Sequence, residues 1–167
     1  ALRRLEVDCH YQSKPAGVVV NGNNQVGGVT SLTGDISSQF VSALLLISPF
    51  ASQGMSIRIT TPLESQSFVL MTLECLKLFG IEVKVSSDWR EFNTAGQVYR
   101  PARYMVEGDW TSASYLLASG ALGGNIIVDN LNPASLQGDK CIIAFLKDMG
   151  ASVTIDRNSI QVKRSKL

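Results

Sequence analysis

The sequence has few of the residues that build metal sites, disulfide frameworks and nucleic-acid surfaces. Its 167 residues include one histidine and three widely spaced cysteines, Cys9, Cys75 and Cys141, with no Cys-x-x-Cys pair. This odd, scattered set supports neither a zinc site nor disulfides, and we expect three buried thiols. Charged residues make up 17% of the chain and the net charge is +1, so binding to an extended nucleic-acid backbone is not expected. A compact anionic ligand is compatible with this charge.

The chain also lacks a long apolar run. The longest one, residues 40–51, is interrupted by Ser42, Ser48 and Pro49 and is shorter than the roughly 20 residues that a membrane span needs. With no signal peptide recognised, we expect a cytoplasmic protein that does not enter a membrane. Hydrophobic residues make up 45% of the chain, which is enough for a packed core and leaves apolar surface for a missing partner domain or for self-association.

A repeated motif is the most informative pattern that is present. Residues 34–40, GDISSQF, begin one apolar stretch, and residues 108–115, GDWTSASY, begin another. Residues 78–85, LFGIEVKV, are matched in the same way by DMGASVTI at residues 148–155. The chain therefore contains two copies of one structural unit.

Periodicity and turn residues predict the order strand, helix, strand, helix, strand, strand in each copy. Strands at 7–11 and 18–20 precede the first copy, which has strand 29–33, a helix from Ser37 capped by Ser37 or Asp35, strand 55–60, helix 65–79 stopped by Gly80, and a hairpin of 81–85 and 90–93. The second copy has strand 103–106, helix 111–122, strand 125–129, helix 137–149 and a hairpin of 151–155 and 159–163. Because parallel strands joined by helices cross over right-handed, each copy should be a small mixed sheet with two helices on one face, an α/β fold of the α+β type.

The start of the first helix is a candidate anion site. Free backbone amides, the hydroxyls of Ser37 and Ser38 and the Gln39 amide converge at the positive end of the helix dipole. On spacing alone the simpler alternative is favoured, in which Ser37 only caps the helix and its neighbours are solvated, and Asp35 also opposes an anion. Ser65 begins the second helix of the same copy and has the same two interpretations.

The same motifs resemble a known family. GDISSQFVSALL at 34–45 and VEGDWTSASYLLA at 106–118 resemble two signatures of the 5-enolpyruvylshikimate-3-phosphate synthase family, and LQGD at 136–139 followed by MGA at 149–151 fits them. The resemblance covers essentially the whole chain and implies the enolpyruvyl transferase fold, with two domains of three βαβαββ units each. Residues 1–104 would be the end of one unit plus one complete unit of the first domain. Residues 105–167 would be the first unit of the second domain, with the crossover near 105–109.

The resemblance implies transfer of the enolpyruvyl group of phosphoenolpyruvate to the 5-hydroxyl of shikimate 3-phosphate, with release of phosphate, in aromatic amino acid (chorismate) biosynthesis. No metal or organic cofactor is implied. The chain would be an internal fragment, inactive alone and without catalytic residues, because the family's proton-transferring carboxylates and its phosphoenolpyruvate-binding cations match positions outside it. The alternative is a non-catalytic phosphate-ligand binding or structural module of the same fold.

The resemblance also assigns substrate contacts. Ser37 and Ser38 match ligands of shikimate 3-phosphate, and Gln39 matches a contact shared with phosphoenolpyruvate. Ser65 matches a further serine on the same phosphate. Phe68 is a weak match, because the family usually has Ser-x-Pro-Tyr where this chain has SQSF at 65–68, so a tyrosine hydroxyl is lost.

The second copy is expected to have a different role. Ala113 stands where the first copy has its glutamine, so this copy is expected to mark the crossing between domains. Glu107 and Asp109 form a close carboxylate pair, but a helix start accounts for Asp109, and neither is predicted to be catalytic. Trp110 is predicted to lie in the core or at an interface.

Overall fold

The computed structural model describes residues 1–22 and 27–164. The chain divides into two compact units, Ala1–Ala102 (unit 1) and Arg103–Leu167 (unit 2). No helix in the described ranges is long and apolar enough to cross a bilayer.

Unit 1 contains the first copy of the repeat. Its elements are β1 (Asp8–Ser13), β2 (Ala16–Asn21), β3 (Gly28–Leu32), α1 (Ser38–Ile47), β4 (Met55–Ile59), α2 (Gln66–Leu78), β5 (Lys84–Val85) and β6 (Glu91–Thr94), with 3-10 helices at Leu2–Leu5 and Ser48–Phe50. Strands β1 and β2 form an antiparallel hairpin. The other four form a sheet in the order β3-β4-β6-β5, in which β3 and β4 are parallel and the other neighbours antiparallel. The predicted element order and mixed sheet of the first copy are confirmed.

Both helices of unit 1 pack on one face of this sheet. Strand β4 alternates, with Met55, Ile57 and Ile59 buried and Arg58 exposed, as expected for a strand covered on one side. The core combines apolar residues of the helices and the sheet, among them Val41, Leu44, Leu45, Ile57, Val69, Leu76 and Phe92. Since burying one such side chain contributes about 1.5–3 kcal/mol, this layer is the main stabilising contact of the unit.

Local signals set the helix limits in unit 1. Helix α1 has Ser37 as its N-cap, so of the two predicted caps Ser37 is the one used. Helix α2 ends just before Gly80, which has a φ of 80°. That left-handed conformation suits glycine and stops the helix, as predicted.

Unit 2 contains the second copy. Its elements are α3 (Trp110–Gly123), β7 (Asn125–Asp129), a 3-10 helix at Gly138–Cys141, α4 (Ile142–Asp148), β8 (Ser152–Ile155) and β9 (Ser159–Lys163). The strands form an antiparallel sheet in the order β7-β9-β8. The core includes Trp110, Ala113, Leu117, Leu146, Ile160 and Val162, which confirms the predicted core position of Trp110.

The strand predicted at residues 103–106 is wrong. Tyr104, Met105 and Val106 are exposed and form no strand. The Val106 carbonyl accepts a hydrogen bond from the Asn130 side chain at 3.2 Å, and the Gly108 N–H donates to the Asn130 carbonyl at 2.6 Å. Two such bonds do not form the repeated hydrogen bonding of a strand pair, so residues 103–106 have the composition of a strand but no partner strand among the described residues. The described strands of unit 2 are all antiparallel.

Two further expectations need correction. The helix predicted at 137–149 is divided into a 3-10 helix and α4, since Gly138 near its start disfavours an α-helical turn. The cysteines are free, as expected, but they are not buried: Cys75 and Cys141 are exposed and Cys9 is half-buried. Cys75 lies on the solvent side of α2, whose buried positions are Val69 and Leu76.

Candidate functional site

The two serine-bearing helix starts lie at the same edge of the sheet in unit 1. Strand β3 leads through a short loop into α1, and the parallel strand β4 leads in the same way into α2. The carboxyl ends of β3 and β4 therefore place residues 33–40 and 60–68 at one edge. This is the edge at which open α/β sheets bind ligands.

Direct contacts join the two loops. The Gly34 N–H donates to Thr61 Oγ1 at 2.9 Å, and the Glu64 N–H donates to the Gly34 carbonyl oxygen at 3.0 Å. A Cβ atom at Gly34 would lie 2.7 Å from Ile59 Cγ2 and 2.8 Å from the Pro62 carbonyl oxygen, so there is no room for a side chain. We call the contact made by Gly34, Thr61 and Glu64 the loop clip.

The start of α1 combines capping with available donors. Ser37 Oγ accepts a hydrogen bond from the Gln39 N–H at 3.2 Å. A hydroxyl that accepts one hydrogen bond keeps its proton for a second partner, so capping by Ser37 does not exclude contact with a ligand. Ser37 is half-buried, Ser38 is 8% exposed and Gln39 is exposed.

Ser65 has an unusual backbone conformation. It occupies the N-cap position of α2 with a φ of 55° and a ψ of 44°, and its side chain does not cap the helix. A residue other than glycine in this left-handed region costs about 1–3 kcal/mol, and such residues cluster at ligand sites. The sequence contains no signal for this strain. The Phe68 ring, one turn later, is 47% exposed.

The formal charges at this edge do not match an anion. Residues 33–40 and 60–68 include two exposed carboxylates, Asp35 and Glu64, and no lysine or arginine. Arg90 Nη1 donates to the Thr60 carbonyl at 3.2 Å, next to the end of β4. The hydroxyl, amide and backbone N–H groups can orient a phosphate, but most of the positive charge that balances it has to come from residues outside these two segments.

In the second copy of the motif, a side-chain carboxylate already binds the free N–H groups at the start of the helix. Asp109 is the N-cap of α3, and its carboxylate accepts hydrogen bonds from the N–H groups of Thr111 at 3.3 Å and Ser112 at 2.9 Å. The Ser112 hydroxyl, followed by these backbone groups, lowers the pKa of Asp109. A carboxylate bound there excludes a second anion, in agreement with the helix-start explanation of Asp109.

The two helices also begin at different points of the motif. Ser38, the first residue of α1, is four residues after Gly34, whereas Trp110, the first residue of α3, is two residues after Gly108. Asp35, the counterpart of Asp109, therefore lies outside α1 and does not cap it. The copies share a sequence pattern but present different groups at their helix starts.

Glu107 belongs to a polar network that the sequence did not predict. Its Oε1 accepts hydrogen bonds from Ser135 Oγ and, at 3.0 Å, from Gln137 Nε2. Gln137 also donates to the Gly108 carbonyl at 3.0 Å and accepts from the Trp110 N–H at 2.8 Å. The network holds the segment before α3 against the loop before α4, which is a structural role.

This network predicts that the stability of unit 2 depends weakly on pH. Partial burial raises the pKa of Glu107, but hydrogen bonds from Ser135, Gln137 and Asn132 and the charge of Lys140 outweigh it and lower the pKa. The ionised carboxylate therefore contributes its full stabilisation of the fold above its ordinary pKa of 4.5. This stabilisation is lost as the pH falls through the lower pKa of the folded state. Glu107→Gln should cost less than about 1 kcal/mol at neutral pH, because the group is partly solvated.

Hydrogen exchange of the β7–β9 amides as a function of pH tests this expectation. The difference between wild type and Glu107→Gln should be constant from about pH 7 to about pH 5 and shrink at lower pH. Ser135→Ala, which removes a donor to the same carboxylate, should give the same pH profile. A difference that grows as the pH falls would contradict a stabilising role of the ionised form.

A groove of about 1090 Å³ in unit 1 lies away from the predicted site residues. Gly28 and Met55, at the amino ends of β3 and β4, line it together with Leu73, Lys77 and Val83. None of the predicted site residues lines this groove. It is at the opposite end of the parallel strands from the helix starts, so the candidate site is the edge joined by the loop clip.

Comparison with known proteins gives a consistent family. Residues 1–167 match the sequence model of the family described as EPSP synthase (3-phosphoshikimate 1-carboxyvinyltransferase). A protein of Dehalococcoides mccartyi (strain ATCC BAA-2100 / JCM 16839 / KCTC 5957 / BAV1) named 3-phosphoshikimate 1-carboxyvinyltransferase is 41% identical over 162 residues, which cover 97% of this chain and 38% of the relative. The chloroplastic protein of that name from Petunia hybrida is 44% identical over 162 residues, covering 95% of this chain and 31% of the relative.

Solved structures agree at the level of the fold. The structure of EPSP synthase from Acinetobacter baumannii superimposes with a TM-score of 0.69 at 21% identity, covering 98% of this chain and 38% of that protein. The enolpyruvyl transferase NikO from Streptomyces tendae gives a TM-score of 0.70 at 12% identity. These identities support the fold alone. The chain spans about 38% of the length of the curated relative from Dehalococcoides mccartyi.

Proposed function

Since the chain belongs to the EPSP synthase family, we propose that it is part of a 3-phosphoshikimate 1-carboxyvinyltransferase of aromatic amino acid biosynthesis. The enzyme would transfer the enolpyruvyl group of phosphoenolpyruvate to the 5-hydroxyl of shikimate 3-phosphate and release phosphate. The observation that carries this proposal is the pair of helix starts, at Ser37 and Ser65, joined at one sheet edge by the loop clip. A cytoplasmic location fits the three free cysteines.

In this proposal the edge holds shikimate 3-phosphate. Ser37 and Ser38 donate hydroxyl protons to its phosphate at the positive end of the α1 dipole. Ser65 supplies a third hydroxyl, which α2 does not use for capping. Gln39 contacts both shikimate 3-phosphate and phosphoenolpyruvate, and the exposed Phe68 ring covers the shikimate without offering a hydrogen bond.

The segment orients shikimate 3-phosphate and contributes one contact to phosphoenolpyruvate through Gln39, but it has no catalytic residue of its own. Neutral donors and two nearby carboxylates cannot supply the cations that stabilise developing negative charge. We place those groups, and the proton-transferring carboxylates, in other parts of the full-length protein. Residues 1–104 would belong to its first domain and residues 105–167 to its second, with the crossover near 105–109. No cofactor is required.

Exposed apolar side chains support the proposal of a larger protein. They include Phe40 and Leu46 on α1, Leu78 on α2 and Tyr115 and Leu122 on α3. Clusters of such side chains usually mark an interface. We propose that the rest of the full-length protein covers them, and that the isolated segment would self-associate through them.

Replacing Ser37 by glycine in the full-length protein tests the phosphate site. Glycine retains most of the N-cap stability, so Ser37→Gly removes the hydroxyl with little cost to α1. Because a hydrogen bond to a charged group contributes about 1.5–3 kcal/mol, the Kd for shikimate 3-phosphate should rise about 10-fold to 100-fold. The Kd for shikimate, which has no phosphate, should change much less. Calorimetry measures both values.

Ser119→Ala is the matched control. Ser119 is an exposed serine of α3 whose hydroxyl donates to the Leu116 carbonyl at 2.8 Å, and its replacement should leave both Kd values unchanged. Unchanged binding in Ser37→Gly would refute the phosphate site. The second candidate, a non-catalytic phosphate-binding module, is favoured by the missing hydroxyl at Phe68 and predicts binding of shikimate 3-phosphate without turnover of phosphoenolpyruvate.

A further inference from the structure

We propose that Thr61 is a positioning residue that holds the two helix starts at the separation required by one phosphate, an inference that rests on the proposed function. Two hydrogen bonds make up the loop clip, and the Thr61 hydroxyl is the only side-chain group in them. The other partners, Gly34 and Glu64, contribute backbone atoms. Substitution of Thr61 can therefore remove one hydrogen bond of the clip while Gly34 and the backbone donor of Glu64 stay unchanged.

The clip acts on the strained residue Ser65. Glu64, whose N–H donates to the Gly34 carbonyl, directly precedes Ser65, whose φ is 55°. An N-cap serine normally adopts an extended conformation and uses its side-chain oxygen to accept a hydrogen bond from the helix. We infer that the clip keeps Ser65 out of that conformation. Its hydroxyl then remains available to a ligand instead of capping α2.

Two serine hydroxyls can bind one phosphate together only if the distance between them is fixed. A phosphate held by Ser37 and also by Ser65 gains affinity from the second contact only while both hydroxyls reach it together. Without the Thr61 hydroxyl, the Gly34 N–H loses its partner and the loop before α2 can move away from the loop before α1. The second contact is then lost, although Ser37 and Ser65 are both intact.

Thr61→Val in the full-length protein tests this role. Valine has the shape of threonine without the hydroxyl, so the Kd for shikimate 3-phosphate should rise about 10-fold, the loss of one contact to a charged group, whereas the Kd for shikimate should change less than about 2-fold. Thr61→Ser should restore tight binding. Thr60→Val is the matched control, because the neighbouring Thr60 hydroxyl donates to the Leu32 carbonyl at 3.3 Å and takes no part in the clip. Thr60→Val should bind both ligands as wild type does.

The outcomes separate this inference from the proposed function. Weak binding in Ser37→Gly but wild-type binding in Thr61→Val would overturn the positioning role and leave the phosphate site standing. If neither variant alters the Kd for shikimate 3-phosphate, the site itself is wrong. An equal loss of affinity for shikimate and shikimate 3-phosphate would show general loop damage and also overturn the role. Hydrogen exchange of the Gly34 amide should be faster in Thr61→Val, and unchanged exchange would contradict the clip. If Thr61→Val does not fold, Thr61→Ala removes the same hydroxyl without placing a methyl group against the Gly34 N–H.

Discussion

Replacing Trp110 by alanine should lower the free energy of unfolding of unit 2 by about 3–5 kcal/mol. Trp110 is completely buried at the start of α3 and is the largest residue in the core of this unit. Its Nε1 atom has no hydrogen-bond partner among the described residues, so the side chain stabilises the unit by packing alone. Folded proteins are stable by only about 5–15 kcal/mol, so a loss of this size should lower the protection of most amides in the unit. Hydrogen exchange of β7, β8 and β9 in the full-length protein measures the change.

Two variants of the same helix sharpen this test. Ser119→Ala changes an exposed polar side chain of α3 and should change the stability by less than about 0.5 kcal/mol. Trp110→Phe should cost clearly less than Trp110→Ala, because most of the packing remains and no hydrogen bond of the indole is lost. A cost for Trp110→Phe as large as that for alanine would contradict packing as the source of the stabilisation.

The sequence predicts most elements of the fold because their signals are local. Alternation in β4, apolar spacing in α1 and α2 and the left-handed Gly80 all act within a few residues. The prediction at residues 103–106 was wrong because a strand also needs a partner. Those residues have strand composition, but they make only two hydrogen bonds to Asn130 after β7. Amino-acid composition does not show whether a segment has a partner strand to which it can hydrogen-bond.

The candidate site was only partly predictable for the same reason. The sequence and its resemblance to a family name Ser37, Ser38, Gln39, Ser65 and Phe68, and the structure places them at one sheet edge; their roles as ligands remain predictions. Neither source indicates the left-handed Ser65 or the clip between Gly34 and Thr61, which are 27 residues apart. Nor does the shared motif show that α3 begins two residues earlier in it than α1, a difference that depends on which side chain caps the helix. Such features arise from long-range contacts and competing caps.

Replacing Gly34 by alanine should have the largest effect on the candidate site. The new Cβ would lie under 3.0 Å from Ile59 Cγ2, the Pro62 carbonyl oxygen and the Leu63 Cα. Two of these are backbone atoms that cannot rotate away, so the loops must separate, at a cost of about 2–3 kcal/mol to unit 1. Because both helix starts would shift, contacts from each serine are lost, and affinity for shikimate 3-phosphate should fall by at least about 100-fold. Calorimetry and denaturant unfolding measure the two effects.

Gly123→Ala provides the matched control for this variant. Gly123 is the last residue of α3, and no atom lies within 4 Å of the position that its Cβ would take. Alanine there should be neutral or stabilise by up to about 1 kcal/mol, since it only reduces the freedom of the unfolded chain. Wild-type stability of Gly34→Ala would show that the loops can open without cost. A loss of stability with undiminished phosphate binding would show that the clip supports the fold but does not position the serines, because the ligand would then bind equally well to separated loops.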